Sequence, residues 1–448
     1  MELLGSILKL LAFTLVLITS VLILIRLPSE FGMEFGYHRL LKKLPYHQQT
    51  FLFNMESKNN NFCNNEPSHK FRFPLTSVVL LIVATRAAIV GLSYLMETTA
   101  NKLELGLFPN FWYSWFIQDS PHYICVAENG YQSSGYDSIF IVFYPLYPYL
   151  IKVVNIFIDN YYFAGLIISN CFFVIACYYL YKLVSLEYND EYLSRNALYL
   201  LILFPFSFFM NIIYTESLFL TLSTMVFYYA RKQKWVISGV CGMLAALTKN
   251  QGLLLFIPIF LELLLSEKAT TLLRHKKKKE LATYLAKRVP CAFLPLAGFG
   301  AYLLINKVVT GEWFKFLQYQ KENWGNTMWL FANSIKHSFL SFFDHDFVYV
   351  IGTYAPQLGL FFIVLFMILF SISKIRITYT LYSLIYLIFS YSPSALLSGP
   401  RYITGMAPIY IYVALLAEKN HRLKNLLSYS SIIFLLFFSL TFVGGGTY

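Results

Sequence analysis

The stretch SILKLLAFTLVLITSVLILIR, residues 6–26, indicates the fold class, because an apolar run of this length can cross roughly 30 Å of hydrocarbon as a helix. Similar runs recur along the 448 residues, of which 57% are hydrophobic and only 13% are charged, and the mean hydropathy is +0.56. Soluble domains carry about a quarter charged residues. Backbone polar groups inside a bilayer must be satisfied within the helix itself. The sequence therefore predicts an all-α polytopic membrane protein.

The first run is expected to be an anchor span, because it is too long for a signal peptide and no small-residue cleavage site follows it. Residues 27–74 are polar and basic with an asparagine-rich tract, which is typical of a cytoplasmic linker. Residues 1–74 are thus predicted to be an anchor and linker, and 75–448 a polytopic domain. Further spans are predicted at about 75–96, 162–185, 195–213, 215–230, 235–249, 250–266, 289–306, 347–373, 379–397, 402–417 and 426–443, which gives about 11–12 transmembrane helices.

The distribution of charge predicts the topology. The net charge of +12 is concentrated in short loops such as Arg231–Lys234 and Lys276–Lys279, which is the positive-inside pattern rather than a nucleic-acid surface. Segment 97–137 is acidic and is expected to face outside as the catalytic loop. If the apolar stretch 138–158 crossed the membrane, both basic loops would lie outside. That stretch, which also contains two prolines, is therefore predicted to be re-entrant or interfacial.

The outer loop contains the first candidate site, Asp119-Ser-Pro-His122-Tyr123. A carboxylate outside the membrane can accept the proton of an attacking hydroxyl group, and nearby aromatics such as Trp115 can stack on a sugar ring. The alternative is a solvated loop acid beside an interfacial aromatic belt. No zinc-ligand spacing accompanies His122, so we expect it to contact the acceptor or to support Asp119 rather than bind a metal.

Three other turns at the outer face carry charges within apolar sequence. Glu216 follows Tyr214-Thr215, and a second catalytic acid, a hydrogen-bond acceptor and a helix cap formed by Thr215 or Ser217 all remain open for this turn. Lys249-Asn250 and Arg401-Tyr402 supply cations that suit a lipid phosphate, or that reach towards the interface. Arg86 lies in the middle of a predicted span, where a charge indicates a functional site.

With these residues collected, residues 75–420 resemble the PIG-V (GPI mannosyltransferase 2) family and its bacterial relatives, which are polytopic glycosyltransferases of the GT-C type. The motifs that carry the resemblance are Asp119–Tyr123 with Ala127–Tyr131, Phe143–Pro148, Tyr214–Phe219, Ala246–Gly252 and Arg401-Tyr402. Gln118 stands where the family usually has tryptophan, and Lys249 where relatives often have arginine. The segment 318–324 is similar to the bacterial branch.

The resemblance implies inverting transfer of a sugar, usually mannose, from a polyprenyl- or dolichyl-phosphate donor on the non-cytoplasmic face. Asp119 and Glu216 are the catalytic candidates. The substrate-binding candidates are His122, Tyr123, Trp115, Tyr144, Tyr147, Tyr214, Lys249, Asn250, Arg401, Tyr402 and Arg86. No metal ligand is predicted, and a requirement for a divalent cation remains open.

The expected partners are the lipid-linked donor, a glycolipid, glycan or protein acceptor, and membrane lipids, without nucleic acid. The expected location is a bacterial plasma membrane, or the endoplasmic reticulum membrane in a eukaryote. The rival class is a non-enzymatic transporter or flippase of lipid-linked sugars. That class predicts repeated halves with broken helices meeting at the midplane, which the sequence does not display.

Overall fold

The computed structural model describes residues 1–31, 72–99, 115–418 and 420–445, and within these ranges the chain is helical, with one isolated β-bridge between Met328 and Pro393. The first helices are α1 (Glu2–Glu30), α2 (Leu75–Thr99), α3 (Ser120–Asn129), α4 (Leu146–Ile158), α5 (Tyr161–Tyr188), α6 (Glu191–Ile202), α7 (Glu216–Arg231), α8 (Trp235–Ala246), α9 (Phe256–Leu264), α10 (Glu267–Arg274) and α11 (Lys278–Ala286). The others are α12 (Leu294–Thr310), α13 (Lys315–Trp324), α14 (Phe331–Leu340), α15 (Ala355–Ser371), α16 (Ile377–Ser390), α17 (Gly399–Thr404), α18 (Ala407–Glu418) and α19 (His421–Val443).

Short helical turns join several of these elements. They are Tyr136–Val142, Ser207–Met210, Asn250–Leu255, Val289–Ala292, Phe347–Tyr349 and Val350–Tyr354. The last of them is a π-turn, and together with Phe347–Tyr349 it extends α15 at its N-terminal end.

Five of the described helical segments are long and apolar enough to cross a membrane: Glu2–Pro28, Leu75–Thr99, Tyr161–Tyr188, Phe347–Ser371 and His421–Val443. Two bent pairs raise this number to seven if each pair forms one span, and shorter apolar helices such as α8, α16 and α18 accompany them. The prediction of an all-α polytopic membrane protein is therefore confirmed. The finer prediction of about a dozen spans goes beyond what length and composition establish.

Some predicted spans differ from the helices that form. The predicted span 195–213 is interrupted, because α6 ends at Ile202 and Pro205 precedes a separate turn. The predicted span 402–417 is divided between α17 and α18. Residues 307–345, which lie between the predicted spans 289–306 and 347–373 and were therefore expected to be an outer loop, are largely helical, since α13 and α14 occupy much of them. Proline and polar residues thus break helices where apolar composition alone predicts continuity.

Two groups of buried charges lie at opposite ends of α7. Glu216 is the first and Arg231 the last of its 16 residues, so the helical rise between them is about 22 Å. Arg231 pairs with Glu187. Arg376 forms a two-point pair with Glu262 at 3.0 and 3.1 Å. Arg231 also approaches Glu262 at 3.6 Å, so the two arginines meet at one end of the bundle. Arg231 comes from a loop predicted to be cytoplasmic, and Arg376 from the basic loop between the predicted spans 347–373 and 379–397, so this meeting agrees with the predicted topology.

The segment predicted not to cross the membrane is a bent helix pair. Its halves, Tyr136–Val142 and α4, meet at 111°. Leu146 at the start of α4 donates its N–H to Leu247 O at 2.9 Å, beside Lys249. The end of α4 leads directly into α5, whose first turns contact the segment before Glu216. Both ends of α4 therefore lie at the Glu216 end of the bundle, as a re-entrant segment requires.

The N-terminal helix packs against the rest of the bundle. Glu2 pairs with Lys336 of α14 at 2.5 Å, and near the other end of α1 the Arg26 side chain donates to Ile375 O at 2.8 Å. Ala12 and Ile23 are buried in the shared core. The helix thus runs from one end of the bundle to the other. The linker predicted to follow it lies mostly in residues 32–71, outside the described residues, so the domain division stays a prediction.

This arrangement predicts opposite labelling of two exposed residues. In a background without the six native cysteines, Ser133→Cys is expected to react with a membrane-impermeant maleimide on intact cells. Lys232→Cys, beside the Arg231 end of α7, is expected to react only after permeabilisation. Both side chains are exposed, so accessibility alone does not separate them. Labelling of both from the same side would contradict the topology.

Candidate functional site: a buried charge cluster with one accessible carboxylate

Four charged residues predicted as site residues meet at one end of the bundle. Arg401 donates through Nε to Glu216 Oε1 at 2.7 Å, and through Nη1 to Asp119 Oδ2. Lys249 Nζ donates to the same Glu216 oxygen at 2.7 Å. The four come from separate segments, up to 282 residues apart in sequence. We name this group, Asp119, Glu216, Lys249 and Arg401, the charge cluster.

The turn before α3 fixes Asp119. Gln118 has a φ of +57°, so the chain reverses just before the aspartate. The Asp119 N–H donates to the Tyr214 hydroxyl oxygen at 3.3 Å, and Ser120 Oγ donates to Ile213 O at 3.3 Å. Pro121 lies in the first turn of α3, where its missing N–H leaves no helical bond unmade. The loop is thereby attached to the segment that leads into Glu216.

The other three members lie at helix ends and turns. Glu216 opens α7, and Thr215 makes no side-chain cap bond there, so the capping alternative does not describe this turn. Lys249 is extended between α8 and the turn that follows. A Cβ on Gly252 would approach Ala245 C to 2.3 Å, so glycine allows this turn to pack against α8. Arg401 lies in the short helix α17.

Accessibility distinguishes the two acids. The Asp119 side chain is 28% exposed, whereas that of Glu216 is fully buried. Lys249 and Arg401 are also nearly buried. With two carboxylates and two cations the cluster is formally neutral, which a low-dielectric site requires of buried charges. Asp119 is therefore the member that a substrate can reach, while the other three form its support.

Aromatic rings enclose the cations. The Arg401 guanidinium lies 4.2 Å from the centroid of the Tyr214 ring, and Lys249 Nζ lies 4.9 Å from that of Tyr402. Tyr123 packs edge-on against Tyr214 at 6.3 Å between ring centroids. Tyr123, Tyr214 and Tyr402 are thus placed around the charge cluster, and their role as substrate-binding residues stays a prediction.

His122 lies beside the cluster among aromatic rings. Its ring centroid is 4.6 Å from that of Phe140 and 5.2 Å from that of Phe143. Burial lowers the pKa of His122 below its ordinary value, and the carboxylates of Asp119 and Asp137 oppose that shift. A neutral imidazole at pH 7 follows, so His122 does not compete with Arg401 as a cationic partner of Asp119.

Several predicted site residues lie elsewhere. Tyr144 stacks on Tyr302 at 4.1 Å between ring centroids, and the Tyr147 hydroxyl pairs with Ser169 Oγ at 2.7 Å, so both belong to the packed core. Asn250 follows Lys249 directly, yet its side chain is exposed. Trp115 and Arg86 line a separate crevice together with Phe208. Among the described residues Tyr144, Trp115 and Arg86 form no hydrogen bond or ion pair with the charge cluster, whereas Tyr147 packs edge-on against Tyr123 at 5.3 Å between ring centroids.

Two features of the charged network are not predictable from the four charged motifs. Phe209 lies under Arg401, with 5.9 Å between the guanidinium carbon and the ring centroid. Because Phe209 stands in a run of aromatic residues, its sequence context does not distinguish it from core residues. Glu262 anchors the second buried cluster, where it also accepts from Thr378 at 2.6 Å. A lone acid within the apolar run of α9 is a sequence feature from which a buried charged site could have been predicted.

Metal binding has no support among the described residues, because no group of three or more His, Cys, Asp or Glu side chains within them could hold an ion. A divalent cation is therefore not assigned to any residue.

Comparisons with protein-family models, with curated proteins and with solved structures find no match. The geometry of the site and the sequence motifs are thus what any functional proposal has to rest on.

Proposed function

We propose that this protein is a membrane glycosyltransferase of PIG-V-like, GT-C type. It would transfer a sugar, mannose in the first instance, from a polyprenyl- or dolichyl-phosphate donor to an acceptor on the non-cytoplasmic face. The observation that carries the proposal is the accessible Asp119 carboxylate bonded to a buried, otherwise neutralised set of charges. The resemblance of the surrounding motifs supplies the class of reaction.

In the proposed reaction the acceptor hydroxyl oxygen attacks C1 of the sugar. The new bond joins that oxygen to C1, while the bond between C1 and the phosphate oxygen breaks. Asp119 takes the hydroxyl proton, and the lipid phosphate leaves with the bonding electron pair as an anion. A base placed at the reacting oxygen contributes about 10²- to 10⁴-fold in such reactions. The proton and both electron pairs are thereby accounted for.

Arg401 would orient Asp119 rather than replace it. Its guanidinium bridges Asp119 and Glu216, so the position of the base is linked to a residue without solvent access. Glu216 accepts from both Arg401 and Lys249, which favours a positioning role over that of a second catalytic acid. Lys249 and Arg401 are engaged with acids, so neither is a free cation awaiting the donor phosphate.

The acceptor class remains that expected from the resemblance, a glycolipid, glycan or protein at the outer surface of a bacterial plasma membrane or in the lumen of the endoplasmic reticulum. His122 lies on α3 three residues after Asp119 and is partly exposed, so an acceptor can approach its ring, whereas Tyr123 is buried. Aromatic rings at such a position can stack on a sugar face. The proposal therefore places the acceptor against α3.

An assay of covalent sugar transfer distinguishes this proposal from a flippase. Membranes that contain the protein are incubated with polyprenyl-phosphate [¹⁴C]mannose, and labelled products are extracted and treated with mild acid, which cleaves glycosyl phosphates and spares glycosides. We expect acid-stable label in a new product. Label that changes leaflet but stays entirely acid-labile would contradict sugar transfer and favour the flippase.

A further inference from the structure

A second feature of the structure is a crevice between α2 and α5, with a volume of about 560 Å³. Its walls are mostly aliphatic and aromatic, with Ile82, Val90 and Leu166 among them, and the turn 208–212 closes one side. Val83 also lines the crevice, and its side chain is 58% exposed on the side of α2 that faces away from the bundle. In a membrane this surface faces lipid, so the crevice is open to lipid from the side.

The crevice contains an arginine with unused donors. Arg86 Nη2 donates to Ser207 O and Oγ, both at 3.1 Å. Arg86 Nε and Nη1 are buried and have no hydrogen-bond partner among the described residues. No carboxylate within the described ranges forms an ion pair with Arg86, whereas Lys249 pairs with one carboxylate and Arg401 with two. A buried charge without a counter-ion is costly, which indicates a missing anionic partner.

Other polar atoms in the lining of the crevice also lack a hydrogen-bond partner among the described residues. Trp115 Nε1 is buried without an acceptor, and Trp115 lines the crevice together with Arg86. A guanidinium and an indole N–H on one apolar crevice match a group with several anionic oxygens attached to a long hydrocarbon. Asn211 Oδ1 is a fourth unpartnered atom in the lining, and it can accept a hydrogen bond from the P–OH group of a monoester phosphate.

From this geometry we infer that the crevice binds a phosphate-bearing lipid, with the phosphate on Arg86 and Trp115 and the hydrocarbon chain between α2 and α5. The inference does not rest on sugar transfer, since none of its residues belongs to the charge cluster. The two sites are joined by aromatic contacts, because Phe208 of the crevice packs on Phe209 at 4.3 Å between ring centroids, and Phe209 lies under Arg401 of the charge cluster.

Lipid binding to the purified full-length protein tests the inference. The probe is a polyprenyl monophosphate, with phosphatidic acid, the neutral prenol of equal length and inorganic phosphate as comparisons, and native mass spectrometry measures occupancy. We expect the monophosphate to bind at least tenfold more tightly than the prenol. Arg86→Gln is expected to weaken that binding by about 10- to 100-fold, as loss of charged hydrogen bonds does, and Trp115→Phe by less.

Matched controls make the result specific. Arg195→Gln removes an exposed arginine and should leave binding unchanged. Asp119→Asn should also bind the lipid like the natural protein, so a failure of sugar transfer leaves this test intact. Equal affinities for the monophosphate and phosphatidic acid support a general phospholipid site, and a preference for the monophosphate supports a prenyl-lipid site. The inference would be overturned if Arg86→Gln bound the polyprenyl monophosphate as tightly as the natural protein does, or if inorganic phosphate bound and the lipid did not.

A stability measurement separates binding from a structural role of the arginine. In lipid-free detergent, Arg86→Met is expected to unfold at a temperature no lower than the natural protein, because it removes an unpaired buried charge. The polyprenyl monophosphate should raise the unfolding temperature of the natural protein but not that of the variant. A strong loss of stability in Arg86→Met without lipid, with lipid binding retained, would show that the arginine only supports the fold.

Discussion

Asp119→Asn is expected to lower the rate of sugar transfer by about 10²- to 10⁴-fold while the protein still inserts and folds. The amide cannot take the proton of the acceptor hydroxyl. Its oxygen can still accept from Arg401, so the support of the site should remain. The measurement is the initial rate of acid-stable product formation from polyprenyl-phosphate [¹⁴C]mannose, with the unfolding temperature recorded in parallel.

Asp159→Asn is the matched control for this variant. Asp159 is exposed at the C-terminal end of α4, at the same end of the bundle. Its φ of +54° is a conformation that asparagine tolerates. The control should retain both rate and stability. Equal rates for Asp119→Asn and Asp159→Asn would remove Asp119 from the mechanism.

Glu216→Gln is expected to destabilise the protein by about 3–5 kcal/mol, because it removes one partner of a buried ionic network. Arg401 would keep Asp119 as an acceptor, but Lys249 would lose the carboxylate with which it pairs. The measurement is thermal unfolding in detergent, read as a half-life at fixed temperature if unfolding is irreversible.

A control variant and a double variant test whether the loss of stability in Glu216→Gln comes from the buried ion pairs. Glu191→Gln breaks a pair whose partners are both more than a third exposed, and it should change stability little. Adding Lys249→Met to Glu216→Gln removes the stranded cation and should restore part of the lost stability. A Glu216→Gln protein as stable as the natural one would contradict the view that this acid neutralises two buried cations.

Much of the fold could be predicted from apolar length and charge. The helices beginning at Glu2, Leu75 and Tyr161 follow directly from long runs that can only be satisfied as helices in a bilayer. The interruption after α6 could not be placed from apolar composition, because hydropathy does not register where a proline ends a helix within an apolar stretch. The helices α13 and α14 lie in residues 307–345, which hydropathy leaves as a loop because polar residues interrupt the apolar ones there.

The candidate site was predictable residue by residue but not as an arrangement. Asp119, Glu216, Lys249 and Arg401 each stood out as a charge beside apolar sequence, and topology assigned them to one face. Which of them pair, and which stays accessible, depends on packing between segments distant in the chain. Tyr144 shows the converse, since its motif marked it as a site residue while packing places it against Tyr302.

Single-turnover formation of the glycosidic bond, with polyprenyl-phosphate [¹⁴C]mannose bound at equal occupancy and host membranes as the acceptor source, tests the central claim most directly. The natural protein should form the acid-stable product, and Asp119→Asn should hold the same amount of donor yet form product at least 100-fold more slowly. Product formation by Asp119→Asn at the natural rate, or no acid-stable product from the natural protein, would contradict this account.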